Sequence, residues 1–165
     1  MNSRAFSAVV QDAVERGYAE PDPRDDLLGR DAGRKGLILA RLLGYHGPAP
    51  RPEPLVPASF ARLPLDAFFK KLRSLDDDWR RRVEREAARG RVLRYVVAAT
   101  PRGVSARLQA VPRESYLGVL RGTRNRLAFT TRRYRDEPLA VGGPGAGAQV
   151  TAAGILNDIQ SLATW

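Results

Sequence analysis

Two prolines in alternate positions, Pro21 and Pro23, sit inside the most acidic stretch of this chain. Their rings fix φ and remove two amide donors, so the segment cannot continue a helix and is held extended. The stretch runs Tyr18-Ala-Glu-Pro-Asp-Pro-Arg-Asp-Asp-Leu-Leu-Gly-Arg-Asp-Ala-Gly-Arg-Lys35 and carries five carboxylates and one of only three lysines. Gly29 ends the loop. Beyond it, Ala32, Leu37, Ile38, Leu39, Leu42 and Leu43 predict a helix from about Arg30 to Leu43, packed on a core through those residues. Asp31 and Lys35 are four apart and share one face near the start of that helix. A rigid acidic loop feeding a carboxylate and an ammonium together is a way to hold an amino-acid substrate, whose own ammonium wants carboxylates and whose reacting oxygen wants a proton donor. The same spacing also describes a plain surface ion pair, contributing a few tenths of a kcal/mol.

Composition narrows the alternatives. A chain of 165 residues suffices for one domain that buries roughly 70% of the surface its unfolded form exposes. There is no cysteine, and His46 is the only histidine, so disulfides, thiolate chemistry and multi-histidine metal sites are not expected. No apolar run approaches the ~18 residues of a membrane span, and no signal-peptide core opens the chain. The expected compartment is the cytoplasm. The net charge of +10 invites a nucleic-acid partner, but 25 of the 28 basic residues are arginines scattered along the chain. Runs occur only at Arg80–Arg82 and Arg132–Arg133, which fits a solvated basic face better than selected phosphate contacts.

In chain order, Phe6, Val9, Val10, Ala13 and Val14 mark a first helix, with Ser3 as its cap and Gly17 as its stop. Gly33 and Gly36 inside the second helix each cost about 1 kcal/mol against alanine, so that helix needs tertiary support. A proline-rich connection, Gly44 through Pro54, leads to a short extended piece at Pro54–Val56. Two or three short helices follow between Ala58 and Arg89: one is amphipathic through Asp66, Phe68, Phe69 and Leu72, and the next is capped by Asp76–Asp78, which suit a helix dipole rather than catalysis. From Val92 the period changes. Val92–Ala99, Val104–Val111, Leu127–Thr131 and Pro138–Val141 read as strands, the first two joined at Pro101–Gly103. Val150–Leu162 closes the chain as an apolar helix. Helices first and strands later make this an α+β fold, with helices on one face of a mixed, mostly antiparallel sheet.

Gly142 through Gly147 precedes the last helix, where free amides could meet an anion. A partial G-x-G-x-x-A pattern lies at Gly143, Gly145 and Ala148, but no second βα unit and no acidic ribose partner follow. The glycines fit a tight turn, or a backbone wall beside a cofactor held elsewhere.

The residues Gly17-Tyr-Ala-Glu-Pro-Asp-Pro-Arg-Asp-Asp-Leu, then Gly29-x-Asp31-x-x-Arg34-Lys35-x-x-Ile-Leu-Ala-Arg41, closely resemble the signature of homoserine dehydrogenases. Gly142-Gly-Pro-Gly-Ala-Gly-Ala-Gln-Val-Thr-Ala-Ala-Gly154 is similar to that family's C-terminal glycine motif. Gly122-x-x-Asn125 and Ala128-Phe-Thr-Thr131 fit between them. The ending Leu-Ala-Thr-Trp165 is similar to that of bifunctional aspartokinase–homoserine dehydrogenases.

The resemblance implies an NAD(P)-dependent interconversion of homoserine and aspartate semialdehyde, on the route to threonine and methionine. It implies Lys35 as general acid/base, Glu20 and Asp31 gripping the substrate ammonium with Tyr18 beside them, and Asp26 supporting the charges around Lys35; on composition, no metal is expected. Gly143, Gly145 and Gly147 would pass close to NADP or NAD. It further implies a homodimer, with residues 1–142 as the catalytic, dimer-forming domain and residues 143–165 returning to an N-terminal nucleotide-binding domain. That domain and a second active-site lysine are missing from this sequence. The expectation is therefore a catalytic region inactive without a nucleotide-binding domain, which a separate chain could supply, the alternative being a non-catalytic dimerisation module or gene remnant.

Overall fold

A computed structural model describes residues 4–145 and 147–163. They form two units, Met1–Arg113 and Glu114–Trp165. The first contains α1 (Phe6–Glu15), α2 (Arg24–Leu27), α3 (Arg30–Leu42), α4 (Leu65–Leu72) and α5 (Asp76–Ala88), followed by β1 (Arg91–Thr100) and β2 (Gly103–Pro112). Single 3-10 turns at Ala58–Arg62 and Arg73–Leu75 lie on either side of α4.

The helical core is built from Val10, Leu27, Leu28, Val56, Phe60, Phe68 and Leu72. Phe68 and Leu72, the predicted apolar face of α4, are fully buried, and Phe68 meets Phe60 and Phe69 edge to face. Ser3 lies outside the described residues. An amide in the first turn of α1 is instead satisfied from far along the chain: the Asp76 carboxylate accepts the Ser7 N–H at 2.7 Å and the Ser7 hydroxyl at 2.8 Å. Asp76 thus serves two helices, as an acid in the first turn of α5 and as the side chain that closes α1.

The α3 helix lies across both strands of the β1–β2 hairpin, and the face it buries is not the one the large apolar residues predict. Gly33, Gly36 and Ala40 are buried, while Ile38 and Leu42 are 62% and 79% exposed and Leu43 is also exposed. The reason is the distance of approach. A Cβ on Gly36 would collide with Val97 Cγ1 and stand 3.1 Å from Val104 Cγ2, and one on Gly33 would stand 2.8 Å from Pro52 Cγ. The helix backbone itself rests on the hairpin, so bulk is turned outward. This is the tertiary support that two mid-helix glycines require.

The loop before α3 also departs from expectation. Pro21 and Pro23 do hold the chain out of a helix, but one helical turn, α2, forms immediately after Pro23. Gly29, at φ +71°, separates it from α3 and lies against the Tyr95 hydroxyl, which donates to the Glu53 carbonyl at 2.7 Å. The piece at Pro54–Val56 is not a ladder strand. It is tied in by two amides, Glu53 to the Ala106 carbonyl at 2.9 Å and Leu55 to the Leu27 carbonyl at 2.7 Å.

The β1–β2 pair is antiparallel from Arg91↔Pro112 to Thr100↔Gly103, and Thr100 Oγ1 accepts the amides of Arg102 and Gly103 at its turn. Buried Glu86 on α5 answers several arginines, with Arg85 at 3.4 Å, Arg89 at 3.6 Å and Arg91 at 3.9 Å. Part of the arginine excess therefore holds α5 to β1.

The second unit contains β3 (Arg124–Phe129), β4 (Leu139–Pro144) and α6 (Ala148–Ala163). The strands pair antiparallel from Arg124↔Pro144 to Phe129↔Leu139. The α+β class holds, with the strands forming two antiparallel ladders, one in each unit. β4 runs through Gly142 and Gly143, so the glycine segment begins as strand and only then turns. None of the residues of α6 is buried, and Ile155, Leu156, Ile159 and Leu162 are all more than half exposed. Among the described residues no helix is long and apolar enough to cross a membrane.

Gly36→Ala tests the backbone contact. Overpacking a stiff β-branched neighbour costs about 1–3 kcal/mol against about 1 kcal/mol of recovered helix propensity. The net expectation is lower stability in urea, restored when Val97→Ala is added; a more stable single variant would contradict the packing.

Candidate active site

The acidic loop sorts its carboxylates into two kinds. Asp22 and Asp25 are answered by arginine. Asp22 binds Arg24, whose Nε reaches it at 2.7 Å and whose Nη1 also donates to the Leu63 carbonyl at 2.8 Å. Asp25 receives Arg30 at 3.2 Å and Arg34 at 3.0 Å. These guanidinium hydrogen bonds, from Arg24 and chiefly from Arg34, hold both carboxyls below the usual aspartate range.

Asp26 behaves in the opposite way. It follows Asp25 on the one turn of α2, and the ~100° step of a helix points it elsewhere. The residue is exposed, yet partial desolvation by the surrounding atoms pushes its pKa up, and the charges of Asp31 and Glu20 add to the rise. The Lys35 ammonium and a backbone hydrogen bond from Glu20 pull the other way. Asp26 therefore lies within the fields of Glu20, Asp31 and Lys35. Among the described residues, neither Glu20 nor Asp26 makes an ion pair, whereas Asp31 meets the Lys35 ammonium at 2.7 Å. The Lys35 side chain is 70% exposed, which leaves its nitrogen reachable by a ligand.

This arrangement can do two things chemically. A surplus of carboxylate beside one lysine attracts a cationic group, and a reachable amine beside that group can exchange a proton with it. No group of three or more carboxylates is placed to hold a metal ion among the described residues. Tyr18, 45% exposed as a residue, begins the loop with its amide on the Ala13 carbonyl at 2.8 Å. Glu20 also opens onto a shallow cleft of about 430 Å³ that it shares with Asp22, Arg24, Asp25 and Arg30. A similar cleft at Ser7, Asp66, Lys70 and Arg73 holds none of the predicted residues.

The three predicted cofactor glycines belong to the second unit. Gly143 lies in β4 opposite Asn125, and no atom comes within 4 Å of where its Cβ would stand. Gly147, at φ +119°, is equally bare, and its carbonyl accepts the Thr151 amide at 3.1 Å. Gly145 differs, because the Asn125 amide occupies the space a side chain would need. Ala146 lies outside the described residues.

Asp25, Arg30 and Arg34 were not among the residues singled out from the sequence. Their signal was present in the spacing: Arg30 and Arg34 are four apart on α3, one position behind Asp31 and Lys35.

The homoserine dehydrogenase family model matches residues 1–160. The chain is 46% identical over 169 residues to the chloroplastic bifunctional aspartokinase/homoserine dehydrogenase 2 of Zea mays, covering 99% of this chain and 18% of that protein. It is 40% identical over 168 residues to a homoserine dehydrogenase of Emericella nidulans, covering 96% of this chain and 46% of that one. Among solved structures, a Candida auris protein of unknown function superposes with a TM-score of 0.84 at 36% identity, covering 99% and 47% of the two chains. The S. aureus homoserine dehydrogenase superposes at 0.61 with 18% identity, covering 98% and 37%, a likeness of fold. The chain thus spans less than half the length of these relatives.

The raised pKa of Asp26 has a stability consequence. A carboxyl that holds its proton more tightly when folded costs stability once it is charged, fully so above its folded pKa and not at all below the unfolded value near 3.9. Asp26→Asn is expected to raise the melting temperature at pH 7, with the gain closing as the pH falls below about 4. A variant less stable than the parent at neutral pH would show that the site carries no surplus of negative charge.

Proposed function

This chain belongs to the homoserine dehydrogenase family, and we propose that it forms the substrate-binding and proton-transferring region of such an enzyme, interconverting L-homoserine and L-aspartate 4-semialdehyde. The observation that carries the proposal is the gathering of Glu20, Asp31 and Lys35 around Asp26, with neither Glu20 nor Asp26 in an ion pair among the described residues.

In this reading Glu20 and Asp31 receive the substrate ammonium, with Tyr18 beside them. Asp26 keeps the local field negative, which favours the bound cation and holds Lys35 in place. When homoserine is oxidised, the Lys35 amine takes the hydroxyl proton as the hydride leaves the same carbon. In the reverse direction the Lys35 ammonium returns a proton to the carbonyl oxygen as the hydride arrives. Gly143, Gly145 and Gly147 are the residues that would hold NAD or NADP, a cofactor whose chemistry would be to supply or accept a hydride. Residues 143–165 would carry those glycines toward a nucleotide-binding domain, residues 1–142 would hold the substrate and form a homodimer, and turnover would require that domain.

The test is homoserine-dependent NADP+ reduction by this chain mixed with a separately expressed nucleotide-binding domain of the family. Lys35→Ala is expected to lower turnover by roughly 10²–10⁴-fold, the scale of a lost general acid/base, with little effect on homoserine binding. A folded mixture that is silent for both proteins, while the chain dimerises without regard to homoserine, would instead identify a non-catalytic dimerisation module.

A further inference from the structure

The acidic loop contains its own competitors for the carboxylates it would offer to a ligand. Arg24, Arg30 and Arg34 lie within the same stretch of sequence, and any of them could neutralise Glu20 or Asp26. None does so in the structure. Arg24 is tied to Asp22 and to the carbonyls of Ala61 and Leu63. Arg30 and Arg34 both reach Asp25, on separate oxygens. Arg24 and Arg30 both line the cleft onto which Glu20 opens, but Arg24 is also held by two carbonyls, so Arg30 is the arginine that losing a single aspartate would free.

We infer that Asp22 and Asp25 act as positioning residues that sequester Arg24, Arg30 and Arg34, and so keep Glu20 and Asp26 open to a cationic ligand. They would thereby set specificity for an amino-acid substrate over its uncharged analogues. Adjacent aspartates on one helical turn then have divided duties: Asp25 turns to the arginines of α3, and Asp26 turns to Lys35, Asp31 and Glu20. The inference rests on the ammonium-binding reading given above, and adds residues that contact no substrate.

Asp25 suits a test, since its side chain is 49% exposed and exposed ion pairs contribute little to folding. Homoserine is titrated calorimetrically into the full chain as wild type, Asp25→Asn, Arg30→Gln and the double variant. Asp25→Asn is expected to weaken binding by roughly fivefold, the scale of one exposed ion pair, because the freed Arg30 turns to Glu20. The double variant should bind within about twofold of Arg30→Gln alone, since the two changes act through one contact. Asp25→Glu should retain wild-type affinity. Equal losses from Asp25→Asn with and without Arg30 would overturn the inference, because a merely structural role for Asp25 would not depend on that arginine.

A ligand-free measurement separates this from the substrate reading. Side-chain NMR should show an Arg30–Glu20 contact in Asp25→Asn that is absent from the wild type. Its absence overturns the sequestration. Its presence in a protein whose wild type does not bind homoserine supports the sequestration and overturns the ammonium reading.

Discussion

The contact between the bare backbone of α3 at Gly36 and the methyls of Val97 and Val104 fixes the rest of the first unit. A helix seated that closely on a hairpin has one possible rotation, because any other would drive a side chain into the strands. That rotation buries Gly33, Gly36 and Ala40 and turns Asp31 and Lys35 to solvent beside α2. The left-handed Gly29 under Tyr95 then sets the angle at which the one-turn α2 meets α3, and with it the places of Asp25 and Asp26. The site geometry is thus downstream of a packing contact that involves none of its residues.

Charge is distributed on that frame by pairing. Buried Glu86 and exposed Asp22, Asp25, Asp77 and Asp78 each meet arginine. Among the carboxylates of the described residues that make no ion pair, Glu20 and Asp26 differ in acting on one another, in a chain with a net charge of +10. Pairing them would have been easy, given the arginines at hand, and would lower the electrostatic cost carried by Asp26. Sites that hold such a cost are where binding is expected, because a ligand relieves it.

Much of this was legible in the sequence, for identifiable reasons. The i,i+4 pairing of Asp31 with Lys35 and the exclusion of Pro21 and Pro23 from a helix are local matters, so spacing revealed them, although Pro23, at ψ 11°, is not extended as expected. The buried face of α4 followed from periodicity at Phe68 and Leu72. What escaped were features set by approach distance and by contacts far apart in sequence. Ile38 and Leu42 carry the pattern of a core face, but the nearness of Val97 assigns the core to glycine. The Asp76–Ser7 cap spans 69 positions, and no local rule pairs them. Gly142 and Gly143 read as turn residues yet join a ladder, because pairing with Asn125 and Arg126 needs only backbone. The arginine clamp on Asp25 went unread because a charge run ordinarily signifies a solvated surface, and only the fold divides Asp25 from Asp26.

The central claim is that the Glu20–Asp26–Asp31–Lys35 cluster recognises an ammonium next to a hydroxyl. Calorimetric titration of the chain with homoserine and with 4-hydroxybutyrate, which differs only in lacking the amino group, tests it most directly. A cluster built for the ammonium should favour homoserine by on the order of 100-fold or more, since charged hydrogen bonds of this kind contribute about 1.5–3 kcal/mol each. Equal affinity for the two compounds would contradict the claim.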